Sequence, residues 1–489
     1  MPATSVGDLS TWNLKGEFSA SGLKAMDREL QKASFQFLAK GGELKINELT
    51  ATMQGANLQG SGTVSLVGER SYSSDLKLSV TSLSGLVPEV KTIQLTNPMQ
   101  ATANLNGTLT PLTFQANGEA ILPQTNIGPL KVQSGQLDFS VTDENYAITD
   151  LKLQLYDGAL TGIATLPRKG ATVASLALDL EPGLSLDQLA EDLSGKKQPL
   201  SGWIQGRIRG QAPRPKVNDL SAWDASARVS IQQGTAWGLD INRAAIQVLL
   251  QNGLVSLSET GLTWANSSLD VSGSLRLDQP QKFDAEVTLN ANDLKDLNQL
   301  TNDVRLPVDV EGRLNAKLDV KGQLENFDWQ ATGTMATDQL KIDKVRLNTV
   351  SAKVMATPKV LTLKEFQLEL YEGKVTGSGQ YPLDSSIAGN FQLDAKAINV
   401  GGLAQEYLGT STPVKGILSG NLTADSVPPA ADTPRDWTTK AEFKIPEITI
   451  DAIEAGHLDG KLDYKNQQLD YRVVGEIFDG EFELSGKYP

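Results

Sequence analysis

The side chains that usually do chemistry form no constellation in this chain. His457 is the only histidine and cysteine is absent. Thiolate catalysis, Ser-His or Cys-His nucleophiles and transition-metal sites therefore have little to build on. Asp143 and Glu144 are adjacent carboxylates that could hold calcium, but no Asp-x-Asp-x-Asp-Gly loop surrounds them. They read as a solvated turn. Two carboxylates can hydrolyse a glycoside on almost any fold, yet nothing in the sequence marks a pair. Gly373, Gly377 and Gly379 lie on or between strand-like runs, not ahead of a helix, so they form no phosphate loop. The expectation is a non-enzyme with no catalytic residue, no metal and no cofactor.

What recurs instead is aliphatic. Leu151, Leu153 and Leu155 alternate with Lys152 and Gln154. The same alternation places Leu76, Leu78 and Val80 together, and likewise Leu176, Leu178 and Leu180. Phe283, Val287 and Leu289 form a further set, as do Phe366, Leu368 and Leu370, with Phe391 and Leu393 beside them. Period 2 puts one set of side chains on each face of a strand. One apolar and one wet face is the mark of antiparallel sheet. The contact these residues offer is with hydrocarbon, and a lining with few aromatics suits acyl chains better than flat rings.

Charge narrows the partners. With 58 acidic and 44 basic residues the net charge is −14, which disfavours a phosphate backbone or an anionic lipid skin. Aromatics are 6% and hydrophobic residues 39%, slightly low for a large globular core. No run approaches the ~18 apolar residues of a spanning helix. The first residues have neither the basic start nor the apolar core of a signal peptide. Absence of cysteine fits an exported protein.

The elements that carry these residues repeat. Met53, Tyr156, Trp264, Tyr371 and Phe478 fall 103, 108, 107 and 107 residues apart. Trp12, Phe114, Trp223, Trp329 and Trp437 fall 102, 109, 106 and 108 apart. Two markers drifting together predict tandem units of ~107 residues. The divisions are 1–113, 114–222, 223–328 and 329–436, with a partial unit at 437–489. Neither end carries a capping repeat, so the chain reads as a slice of a longer protein. Strands are predicted over Thr113–Leu122, Lys131–Thr142, Tyr146–Leu155, Leu160–Leu166, Val173–Leu180 and Ser201–Arg209. A short helix over Leu184–Leu193 has Leu186, Leu189 and Leu193 on one face. It recurs as Asp293–Thr301 and Gly402–Leu408, while Ser84–Pro88 is too broken to assign. Asp157-Gly158, Asn252-Gly253, Glu372-Gly373, Lys465-Asn466 and Asp479-Gly480 read as hairpin turns, with glycine or asparagine supplying positive φ. Ala424–Arg435 reads as a mobile loop. No other spacer separates the units, which favours strand pairing across their boundaries.

An apolar face this long does not stay bare, since burial is worth roughly 25 cal/mol per Å². The sheet either closes as a sandwich or curls into a trough occupied by something apolar. Both remain open at this point. The succession of strand, Tyr-(Asp/Glu)-Gly, a strand with Thr-Gly, an Asp-Leu-x-x-Leu helix and a Gly-rich strand such as Val414–Gly420 resembles the TamB-like repeat region of the AsmA-like family. That resemblance implies an elongated, curved, mainly β groove with one short helix per repeat. It implies a periplasmic location, with an inner-membrane anchor in sequence beyond this chain. It also implies a bridge-like conduit for phospholipid acyl chains, with membrane-protein partners at both membranes. Strands ~4.8 Å apart would then extend over roughly 130–150 Å. The rival expectations are a scaffold for outer-membrane protein assembly and a purely structural stalk of tandem sandwiches.

Overall fold

The computed structural model describes residues 8–25, 28–86, 93–170, 172–236, 238–295, 310–342, 345–384, 386–408, 413–426, 437–478 and 480–488. The chain is mainly β. It groups into two compact units, Met1–Ala236 with Ala245–Gly253, and Trp237–Ala244 with Leu254–Pro489.

In the first unit the alternating runs become one antiparallel sheet. Its strands are Asn13–Ala25, Arg28–Lys40, Glu43–Met53, Ala56–Ser65, Ser71–Val80, Met99–Leu109 and Leu112–Leu122. It continues through Ser134–Thr142, Asn145–Leu155, Gly158–Pro167, Val173–Ser185, Leu200–Pro213 and Asp224–Ala236. Each of these is hydrogen-bonded to the next. The second unit is built the same way from Leu254–Trp264 to Gly480–Tyr488. The sheet does not break near the expected boundaries. Met99–Leu109 pairs with Leu112–Leu122, and Leu200–Pro213 with Asp224–Ala236. Val310–Gln323 pairs with Asp328–Ile342, and Val414–Ser426 with Trp437–Ile445.

Some elements differ from their sequence reading. The run expected over Lys131–Thr142 is broken at Gln133. Leu130–Val132 leaves the main sheet and pairs with Thr125–Ile127, which pairs in turn with Ile93–Leu95. Among the described residues, short helices follow strand ends at α1 (Leu83–Leu86), α2 (Leu186–Ser194) and α3 (Val400–Leu408). Leu186 and Leu189 of α2 pack inward, but Leu193 is 59% exposed, so the helix face is narrower than expected. The helix expected over Asp293–Thr301 falls mostly outside the described residues. Ala424, Asp425 and Ser426 belong to a strand, and the rest of the expected loop lies outside the described residues.

The third strand of several hairpin series carries a bulge. Register shifts fall between Ile46 and Leu49, Ile148 and Leu151, Leu257 and Thr260, and Leu363 and Phe366. Glu48, Glu259 and Glu365 take positive φ there. An extra residue keeps Ile148 and Leu151 on one face although they are three apart.

The turns also correct the role given to glycine. Asn252, Gly253, Asn466 and Gln467 adopt left-handed φ, as their turn chemistry predicts. In the Tyr-(Asp/Glu)-Gly turns, however, Tyr156 (φ 51°) and Asp157 (φ 63°) are left-handed, as are Tyr371 (43°) and Glu372 (66°). The glycine that follows is needed for close approach. A Cβ on Gly158 would stand 2.5 Å from the Leu184 backbone nitrogen, and one on Gly373 would stand 2.6 Å from the Ala397 carbonyl. At Gly480 the nearest atom would be 3.5 Å away. Gly158→Ala and Gly373→Ala are each expected to cost about 1–3 kcal/mol in urea unfolding. Gly480→Ala is expected to fall within about 0.5 kcal/mol of wild type. Equal behaviour of all three would contradict the packing account.

Candidate functional site

Within each unit the expected lining residues share one face and meet in cross-strand rows. Leu151 faces Gly162, which faces Leu178 and then Ile208. Phe366 faces Gly377, then Leu393, then Leu422. Leu76 lies between Gly60 and Ala103, and Leu78 between Leu58 and Ala101. Leu176 faces Ala164, and Leu180 faces Leu160. Phe283, Val287 and Leu289 face Leu275, Val271 and Leu269. Leu368 faces Val350 and Val375, Leu370 faces Gly373, and Phe391 faces Gly379.

Leucines lie flat across glycines in these rows. A Cβ on Gly60 would be 2.8 Å from the Leu76 Cδ2, and one on Gly162 or Gly377 would be 2.6 Å from the same atom of Leu178 or Leu393. The face is thus low in relief, and most of its side chains are only half-buried. The opposite face is polar and laced with exposed ion pairs, such as Glu286–Lys317 at 2.8 Å and Asp284–Lys321 at 3.0 Å. Pairs this exposed contribute at most about 1 kcal/mol each.

The two ends of the strands are unlike. One end carries the helices and is closed. Val80, Met99 and Leu122 form a buried cluster there with Leu83 of α1 packed on it. Leu153, Leu155, Tyr156, Leu184 and Ile204 form a second, joined by Leu186 and Leu189 of α2 and by Ile127 and Leu130 of the small sheet. Leu340, Leu347 and Val350 form a third in the second unit, with Leu368 and Leu370 against it. Val80 (1% exposed), Leu153 (7%) and Leu155 (4%) are therefore core of this rim, not part of the half-open face.

A hydrogen-bonded lock holds the helix rim. The Tyr156 hydroxyl donates to Asp192 Oδ2 of α2 at 2.8 Å and accepts from the Lys131 amide at 3.0 Å. Lys131 Nζ reaches the other Asp192 oxygen at 2.6 Å. In the second unit Tyr371 donates to Glu406 Oε2 of α3 at 2.7 Å, and Arg346 Nε stands 3.5 Å from the other Glu406 oxygen. The tyrosine carbonyls accept from Ser185 N and Asn399 N, at 2.8 and 3.0 Å. Burial pushes the Tyr156 hydroxyl up to about 12, the Lys131 amide opposing and Asp192 adding to the shift. Burial likewise pushes Tyr371 up to about 12, with Glu406 adding to it. Burial raises Asp192, but the Lys131 and Tyr156 hydrogen bonds outweigh it and hold the carboxyl below its usual range.

The other end carries the recurrent aromatics and is open. Trp223 lies over Gly210 and donates its indole N–H to the Val217 carbonyl at 3.0 Å. Trp437 packs against Phe391 with ring centroids 5.5 Å apart and the planes tilted by 40°. Val67, Leu112, Tyr146 and Val173 stand exposed along this tryptophan rim in the first unit, and Phe327 and Leu383 in the second.

A hollow of about 560 Å³ lies in the first unit. Gln59, Ser61, Asp75, Lys77, Thr102 and Glu119 line it from the polar face. Leu76, with Gly60 and Ala103 beside it, borders the same hollow, so its lining is mixed. His457 stands 3.5 Å from Glu476 at the surface. Among the described residues no group of three or more His, Cys, Asp or Glu is placed to hold a metal ion. No described helix is long and apolar enough to cross a membrane. No known protein family, curated protein or solved structure matches the chain.

Sequence reading located Tyr156 and Tyr371 as turn residues but missed their carboxylate partners, which lie 36 and 35 residues further on. Removing either hydroxyl leaves a carboxylate one donor short, so Tyr156→Phe and Tyr371→Phe should each cost about 1–3 kcal/mol at pH 7. A tyrosine whose pKa rises on folding stabilises fully below pH 10, and that share is lost as pH climbs towards 12. Asp192, lowered on folding, stabilises above about pH 4 and loses its share as pH falls further. Stability measured from pH 9 to 12 should therefore fall less steeply in the double variant than in wild type.

Proposed function

We propose that the half-buried aliphatic face is a binding surface for acyl chains, and that the chain serves as a passive conduit for phospholipid. The observation that carries this reading is the contrast between the helix rim and the rest of that face. The helix rim carries buried clusters and the two tyrosine locks, whereas the rest of the apolar face is half-open. Large contiguous apolar surface left uncovered marks an interaction site. Transport along such a face needs no catalytic group, only weak and uniform contact.

On this reading the chain is a tandem repeat of ~107-residue units whose sheet curls into a groove. The locks support the repeat: Lys131, Tyr156 and Asp192 reappear as Arg346, Tyr371 and Glu406, shifted by 215, 215 and 214 residues. The conduit would then be the periplasmic part of an AsmA-like protein, held to the inner membrane by sequence outside it.

Native mass spectrometry of the purified protein, with lipid extraction alongside, tests the proposal. Several phospholipids per chain are expected. Leu178→Asp and Leu393→Asp, placed on the half-buried face, should lose them while circular dichroism keeps its strand signal. A lipid-free wild-type protein would return these residues to ordinary core and favour a structural stalk.

A further inference from the structure

The tryptophan rim of the first unit holds a cation in an unusual setting. Arg168 follows the strand Gly158–Pro167, at the end remote from α2. Its guanidinium carbon lies 4.6 Å from the Phe114 ring centroid and 5.2 Å from that of Tyr146. Nη1 donates to the Thr142 carbonyl at 2.9 Å, and the backbone amide donates to the Glu144 carbonyl at 2.6 Å. The head group is thus fixed by two rings and one carbonyl. Among the described residues it has no carboxylate partner. The nearby acid Asp143 is turned to the Phe114 amide, whose N–H it accepts at 3.2 Å, and Glu144 is exposed on the same turn.

The setting matters because of what lies next to it. Tyr146 and Ile148 share a face with Leu151, Leu153 and Leu155 on the strand Asn145–Leu155. At ~3.3 Å per residue that run is about 30 Å long, against roughly 15 Å for the acyl layer of one leaflet. An amphiphile laid along it with its tail on the half-buried Ile148, Leu151 and Leu178, short of the packed Leu153 and Leu155, would bring its head to Arg168. A planar guanidinium with unused N–H groups matches phosphate oxygens.

Resting on the acyl-chain reading above, we propose that Arg168, cradled by Phe114 and Tyr146, binds the phosphate of a phospholipid whose chain lies on the adjoining aliphatic face. The site fixes the orientation of the ligand: head at the tryptophan rim, tail towards the helix rim.

Isothermal titration tests this with three probes: palmitoyl lysophosphatidylglycerol, palmitoyl glycerol and inorganic phosphate. Wild type should bind the lysophospholipid roughly tenfold more tightly than the neutral glyceride. Arg168→Gln should lose that margin while binding the glyceride unchanged. Arg168→Lys, which keeps the charge without the planar fork, should fall between them and guards against a folding artefact. Equal lysophospholipid affinity in wild type and Arg168→Gln would overturn the Arg168 site and leave the acyl-chain reading standing. Inorganic phosphate binding as tightly as the lysophospholipid would overturn it in favour of a free-anion site. Failure of both amphiphiles to bind folded wild type would overturn the underlying reading as well.

Discussion

A leucine laid across a glycine of the neighbouring strand sets the relief of the apolar face. Leu76 on Gly60, Leu178 on Gly162 and Leu393 on Gly377 repeat one arrangement. Each leucine gains dispersion contacts with bare backbone instead of standing up from the sheet. A side chain that stood up would seek a partner from a second sheet, and the face would close as a sandwich core. Lying down, it satisfies part of its need locally and leaves the surface above it free. Alanine at any of these glycines would meet a carbonyl of the neighbouring strand before it met the leucine.

The second constraint is strain at the helix rim. Tyr156 and Tyr371 are bulky residues at positive φ, a conformation costing roughly 1–2 kcal/mol per residue. Their hydroxyls reach helix carboxylates that also hold a cation, and such charge-assisted hydrogen bonds offset the strain. The turn therefore does more than reverse the chain. It pins a helix over the strand ends and packs that rim.

Much of this was legible in the residues. Alternation at Leu151–Leu155 and Phe366–Leu370 specified strands with one apolar face, because period 2 is a local property of the chain. The turn residues Asn252 and Asn466 were equally plain. Other features were hidden for physical reasons. The bulges at Glu48, Glu259 and Glu365 are set by register with the next strand, which no window of sequence displays. Lys131 lies 61 residues before Asp192, and only the folded sheet brings them together. Arg168 stood out in no sequence pattern, because its aromatic partners come from two other strands. The role of Gly158 was misread because the sequence cannot show that a neighbouring backbone passes against it.

The order of strand pairing within each unit has a consequence for how the chain acquires its structure. Each long strand pairs with its immediate neighbours along the chain, and the longest connections are those that precede Met99–Leu109, Leu200–Pro213, Val310–Gln323 and Val414–Ser426. Contacts that close small loops carry little entropy cost and form early. A sheet wired this way can grow hairpin by hairpin as the polypeptide emerges, each new strand templated by the one before. The exposed edge is then always the most recent strand, so the interval between one strand and its successor is when the growing chain is open to wrong partners.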